Sequence, residues 1–227
     1  MDDHCLDRPV WNALVTEHAG FSTGSLRARC FERDISLFGA ACDESAESLS
    51  DLGSLTASAG RLILAQADAI ICPPSASLTM MTPALQMVFD ASKLAQRRGL
   101  TIRKLDPQDA PAMMALATLT KPGPFAERTY VLGEFWGIER DGRLVAMAGE
   151  RLKQPGFTEI SGVCTHPDYL GHGYAKELCL MVLTRITGRG EQPYLHVFTS
   201  NEAAIALYRK LGFRERRKMH IGVLEPA

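Results

Sequence analysis

Apolar residues cluster or alternate with polar ones over residues 26–31, 61–66 and 81–89, and these stretches are expected as strands. Residues 43–53 read as a helix with a polar outer face. The pattern becomes more regular after Leu100. Residues 100–105 form a candidate strand, and Asp106-Pro107 opens a helix that carries Met113, Met114, Leu116 and Ala117, with proline in its first turn. Two prolines and a glycine make 120–125 a loop. Residues 133–140 and 143–152 read as a hairpin about Asp141-Gly142, and 158–165 is a further strand after the Gln154-Pro155-Gly156 turn. A helix is expected from Gly173 to about Thr187, with Leu178, Met181, Val182 and Ile186 on one stripe. Residues 194–198 are a short buried strand. Residues 203–211 are a helix closed by Gly212, and 213–223 supply one or two final strands. Two residues compete to cap the 203–211 helix: Thr199, three before Glu202, and Asn201.

A polar stretch holding Lys93, Gln96, Arg97, Arg98 and Gly99 divides this pattern into an N-terminal α/β unit, 1–92, and a second unit, 100–227. Charge follows the same division. Residues 1–92 hold 5 Lys and Arg against 12 Asp and Glu, whereas 93–227 hold 20 against 14. A basic half suits a phosphorylated ligand, although two solvated surfaces give the same count. There is no dense interleaving of basic and aromatic residues, so no nucleic-acid partner is expected. Residues 1–9 carry Asp2, Asp3 and Asp7 in place of a basic-then-apolar leader, and no apolar run is long enough to cross a bilayer. A cytoplasmic protein without a membrane partner is expected. The six cysteines have neither Cys-x-x-Cys nor Cys/His spacing. They read as reduced thiols, with no metal site and none at His166 or His172.

The segment Val163-Cys-Thr-His-Pro-Asp-Tyr-Leu-Gly-His-Gly-Tyr-Ala175 leads from a strand through glycines into a helix. Gly171 and Gly173 let a ligand approach the main chain, and the helix start presents unpaired N–H groups and its positive dipole end. A pyrophosphate fits such a cradle, and so does a plain strand-to-helix connection. The segment resembles motif A of the GNAT N-acyltransferase superfamily, in which Gln/Arg-x-x-Gly-x-Gly/Ala grips coenzyme A. Leu170, Gly171, His172, Gly173, Tyr174 and Ala175 occupy the six positions, with Gly173 and Ala175 matching and Leu170 departing. Downstream, Asn201-Glu-Ala-Ala-Ile-Ala-Leu-Tyr208-Arg-Lys-Leu-Gly-Phe213 is similar to motif B of the same superfamily.

The resemblance implies a GNAT-like mixed sheet flanked by helices over 100–227, with acetyl-CoA as cosubstrate and an amine, on a small molecule or a protein, as acceptor. Acetyl or another short acyl group would move by direct attack through a tetrahedral intermediate. It implies Asn201 on the pantetheine arm and the Tyr208 hydroxyl beside the thioester sulfur, as general acid. The two stand on one helical face, seven residues apart. Main-chain N–H groups at Val163, Cys164 and Thr165 would meet the cofactor and the oxyanion where strand 158–165 splays from 194–198. The candidate proton acceptors are His196 and Glu159, directly or through water, the remaining alternative being loss of the proton to solvent; Glu159 is expected to share a face with Ser161 and Val163. Cys164 alternates away from that face and reads as a core thiol rather than a nucleophile. Residues 1–92 could be a degenerate acyltransferase lobe. A non-catalytic acyl-CoA sensor, favoured by Leu170, and an interaction protein built on the acidic half are the other readings.

Overall fold

A computed structural model describes residues 4–227; Asp2 and Asp3, which entered the leader reading, lie outside them. In chain order the strands are β1 (Ser22–Gly24), β2 (Ala28–Phe31), β3 (Gly39–Ala41), β4 (Leu62–Gln66), β5 (Ala76–Phe89), β6 (Arg103–Leu105), β7 (Phe135–Arg140), β8 (Arg143–Gln154), β9 (Phe157–Thr165), β10 (Gln192–Phe198) and β11 (Phe213–Pro226). The helices are α1 (Pro9–Val15), α2 (Ala46–Ala59), α3 (Ala110–Thr120), α4 (Tyr174–Gly188) and α5 (Glu202–Leu211).

Residues 84–89, Ala-Leu-Gln-Met-Val-Phe, are buried on both faces. An extended segment of that kind needs strand partners on both edges and cover on both sides, which only the interior of a large sheet supplies. The sheet order is β4-β11-β5-β10-β9-β8-β7-β6. Thus β5, from the first 92 residues, lies antiparallel between β11 and β10 from the end of the chain. The polar stretch at 93–99 connects two strands of one sheet, and the eight-stranded sheet runs across the division expected there. Among the described residues, only β1–β3 form a sheet apart.

One face of the large sheet packs Leu85, Met87, Ile138, Ala146, Leu195 and Val197 against α4 and α5. The other packs Ala84, Val88, Tyr194 and Ile221 against α1, and Met147 and Phe135 against α3. Each α3–α5 boundary has a local cause. Asp106 and Asp109 form a capping box ahead of α3, Gly173 begins α4 with φ +78°, and Asn201 caps α5 through Ala204 N. Asn201 therefore wins the cap, while Thr199 turns to the Pro83 carbonyl. Residues 213–226 make one strand, β11. No helix among the described residues is long and apolar enough to cross a membrane.

Candidate active site

Strands β9 and β10 run parallel, and their register ends at Tyr194 opposite Glu159. Beyond that pair, β10 keeps only β5 as a neighbour and β9 only β8. The sheet opens there into a cavity of about 310 Å³. Val163, Val197, Ala204 and Tyr208 line it from the α4/α5 face; Phe38, Ala84, Arg151, His196 and Ile221 line it from the other. The cavity therefore passes through the sheet, so two reactants can meet from opposite sides.

A β-bulge shapes its β9 wall. Met147 pairs with Cys164 and Gly149 with Ser161, so β9 holds one more residue than β8, and Gly162 takes φ +62°. The extra residue reverses the alternation expected for this strand. Val163 joins Ile160 on the α4/α5 face instead of sharing that of Glu159. Cys164 returns to the Glu159 face, where it packs beneath α3 with Met113 and Phe135. Burial raises its thiol to about 11, so it is a protonated core group there.

Glu159 and His196 lie together, as partners rather than as alternatives. Glu159 is fully buried; its carboxylate takes a two-point contact from Arg151, Nε to Oε2 and Nη2 to Oε1, each 2.8 Å. His196 Nδ1 lies 2.7 Å from the same Oε1. Burial alone would raise the Glu159 carboxyl, but the Arg151 charge and the hydrogen bonds from Arg151 and His196 bring it down to about 2. A carboxylate with both oxygens occupied and so low a proton affinity is a poor base. His196 Nε2 lies 3.0 Å from Gln86 Nε2. Neither Arg151 nor Gln86 was picked out from the sequence. Gln86 left one trace, a lone amide inside the apolar run 84–89; Arg151 left none, since it stands among other charged residues.

Tyr208, on α5, is buried beside the cavity with Phe213 edge-on to its ring. Burial, chiefly, with the negative charge of Glu159 adding to it, pushes its hydroxyl well above the tyrosine range and keeps it protonated. Asn201 also lines the cavity; its Oδ1 is committed to the helix cap, leaving Nδ2 to face outward. Thr165 is half-buried and lies outside the cavity lining.

At the other end of β9 the chain turns through a 3₁₀ segment, Pro167–Tyr169, into α4. Gly171 and Gly173 have φ +81° and +78°, and a Cβ built on either would meet no atom within 4 Å. The glycines therefore satisfy turn geometry and keep open the space in front of the α4 N–H groups. His172 directs Nδ1 at the Tyr169 and Leu170 carbonyls, Leu170 is exposed, and Ala175 is half-buried. The Tyr174 ring is buried in the core under Arg140, so only its main chain faces the cradle.

Residues 135–221 match the family model described as FR47-like protein. Across 99% of this chain and 100% of its own, a crystal structure of an acetyltransferase assigned to the GNAT family from Novosphingobium aromaticivorans superposes with a TM-score of 0.91 and 38% identity. The ribosomal-protein-bS18-alanine N-acetyltransferase of Escherichia coli is 28% identical over 121 residues, 51% of this chain and 81% of its own length. An N-alpha-acetyltransferase, RimI, of Mycobacterium tuberculosis is 40% identical over 81 residues, 34% of this chain and half of that one.

Proposed function

The chain belongs to the GNAT family of acetyltransferases, and from that premise we propose that acetyl transfer from acetyl-CoA to an amine takes place in the cavity between β9 and β10. The observation that carries this reading is the parting of the two strands after Glu159 and Tyr194, with Tyr208 in the gap. Coenzyme A fits the residues present. The open glycine cradle and the N–H groups of α4 hold the pyrophosphate, and Asn201 Nδ2 meets the pantetheine arm. The main chain of Val163, on the β9 edge that β10 has left, supplies an oxyanion donor, whereas Cys164 and Thr165 lie outside the cavity lining. Tyr208 protonates the departing sulfur, and His196 takes the proton of the attacking amine while Glu159 fixes its ring.

The acceptor enters from the α1/α3 face, where Phe38, Ile63, Met80, Ala84 and Ile221 form an apolar wall. Among the described residues, Lys121 and Arg151 are the charged side chains along the cavity, and no carboxylate lines it. A polyamine would leave its distal ammonium groups without counter-charges; a single amine on an apolar body would not. An alanine amine on a protein, the acceptor named for the Escherichia coli relative, is one amine of this kind. Residues 1–92, expected as a separate lobe, contribute Phe38, Ile63 and Met80 and act as the acceptor wall. The six free cysteines accord with a reducing cytoplasm. Thiol release from acetyl-CoA, measured with an alanyl peptide, an apolar monoamine and spermidine, tests the reading. The first two should turn over; preference for spermidine overturns the acceptor class, and absence of both acetyl-CoA binding and turnover overturns the site.

A further inference from the structure

Gln86 stands directly opposite His196 across the β5–β10 pair and is fully buried. Both ends of its amide are oriented by partners with only one possible role. Arg216 Nη1, which can only donate, lies 2.8 Å from Gln86 Oε1. The Leu6 carbonyl, which can only accept, lies 2.7 Å from Gln86 Nε2. The second N–H of that nitrogen points at His196 Nε2, 3.0 Å away, so this ring nitrogen must accept. The ring's proton is then on Nδ1, donated to Glu159 Oε1 at 2.7 Å.

We propose that Gln86 is a positioning residue for acyl transfer, holding His196 in the Nδ1–H tautomer and covering its basic lone pair until an amine in the cavity replaces Gln86 at Nε2. This rests on reading His196 as the base. During transfer the amine nitrogen's electron pair forms the new C–N bond and its proton passes to His196 Nε2, while the Nδ1 proton stays facing Glu159. The C–S bond breaks, the sulfur takes the Tyr208 proton, and the imidazolium returns a proton to Tyr208 through solvent. Gln86 suits this task because an amide can donate without carrying charge. A carboxylate in its place would hold the ring doubly protonated. The charged and titratable groups around the ring are Glu159 on β9, Arg151 on β8, and Arg216 on β11 with its partner Asp7. Tyr194 lies edge-on below it, and Tyr208 faces it across the cavity.

Nitrogen–proton correlation spectra of histidine-labelled protein in mildly alkaline buffer read the tautomer directly, without any acceptor. Wild type should show His196 protonated on Nδ1 alone. Gln86→Met keeps the length of the side chain and removes the donor. It should give mixed tautomers and move the acidic limb of kcat/KM to higher pH, because the neutral ring loses a hydrogen bond that the doubly protonated ring cannot accept. Gln86→Glu should hold the ring doubly protonated and lower kcat/KM by about 10²–10³-fold, with acetyl-CoA affinity retained. A wild-type ring protonated on Nε2 overturns the proposal without recourse to any variant. A Gln86→Met protein with wild-type tautomer and limb overturns it as well. If the tautomer responds and the limb does not, the base assignment of His196 fails and the proposal with it, while the acetyl-CoA site stands.

Discussion

Glu159 has both carboxylate oxygens engaged in a dry interior, and the cost of disturbing it comes mainly from its partner. Glu159→Gln leaves the buried Arg151 guanidinium without a counter-charge, a loss of about 3–5 kcal/mol in comparable pairs. The pH dependence has a definite sign. Its carboxyl titrates at about 2 in the fold against 4.5 as a free group, so its contribution is fully present above about 4.5 and is lost as pH falls toward 2. Urea midpoints measured through that window should fall more steeply for wild type than for Glu159→Gln; parallel curves would count against the pairing. Tyr208→Phe keeps the ring against Phe213 and removes only the hydroxyl. We expect kcat to fall by about 10²–10⁴-fold with acetyl-CoA affinity nearly unchanged. A tyrosine that merely filled space would lower the melting temperature and spare turnover.

Helix α4 offers an internal control for its own N-terminus. Gly173 and Gly190 flank it with φ +78° and +77°, and both have open space where a Cβ would go. Alanine at either position meets the same backbone strain, about 1 kcal/mol. Only Gly173→Ala also intrudes on the cradle. Both variants should lose similar thermal stability, whereas calorimetry should show acetyl-CoA weakened by roughly tenfold for Gly173→Ala alone, as for one lost charge-assisted hydrogen bond. Equal affinities would remove the cradle from its assigned place. Elements from β7 to α5 were legible in the sequence because each is periodic and bounded by a glycine or proline turn. Asn201 and Tyr208 were singled out through the resemblance to motif B, and both line the cavity. The bulge at Gly162 was not legible: one extra residue in a strand leaves its apolar pattern intact while reversing which side chains face the gap. Helix α1 escaped because residues 9–15 span only two turns and their stripe is too short to stand out.

The largest departure from the sequence reading belongs to the molecule as a whole. Local patterning identified residues 81–89 as a strand, but pairing partners over a hundred residues away cannot be read from periodicity. Because β5 fills the place between β10 and β11, a fragment covering 100–227 would expose an edge on each of them and lose Gln86 from beside His196. We expect that fragment to lack a cooperative thermal transition and to bind no acetyl-CoA; a fragment that melts sharply and binds the ligand would contradict this. The same strand order also governs how the protein is made. The apolar run at 84–89 leaves the ribosome before either of its neighbours exists, and more than a hundred further residues must be synthesised before β11 begins. At roughly 5–20 residues per second that is a delay of roughly 6–25 s before partners for both edges have been made. Nascent chains on one polysome could exchange this strand during that interval, so yield of correctly assembled protein should depend on translation speed and on holdase chaperones.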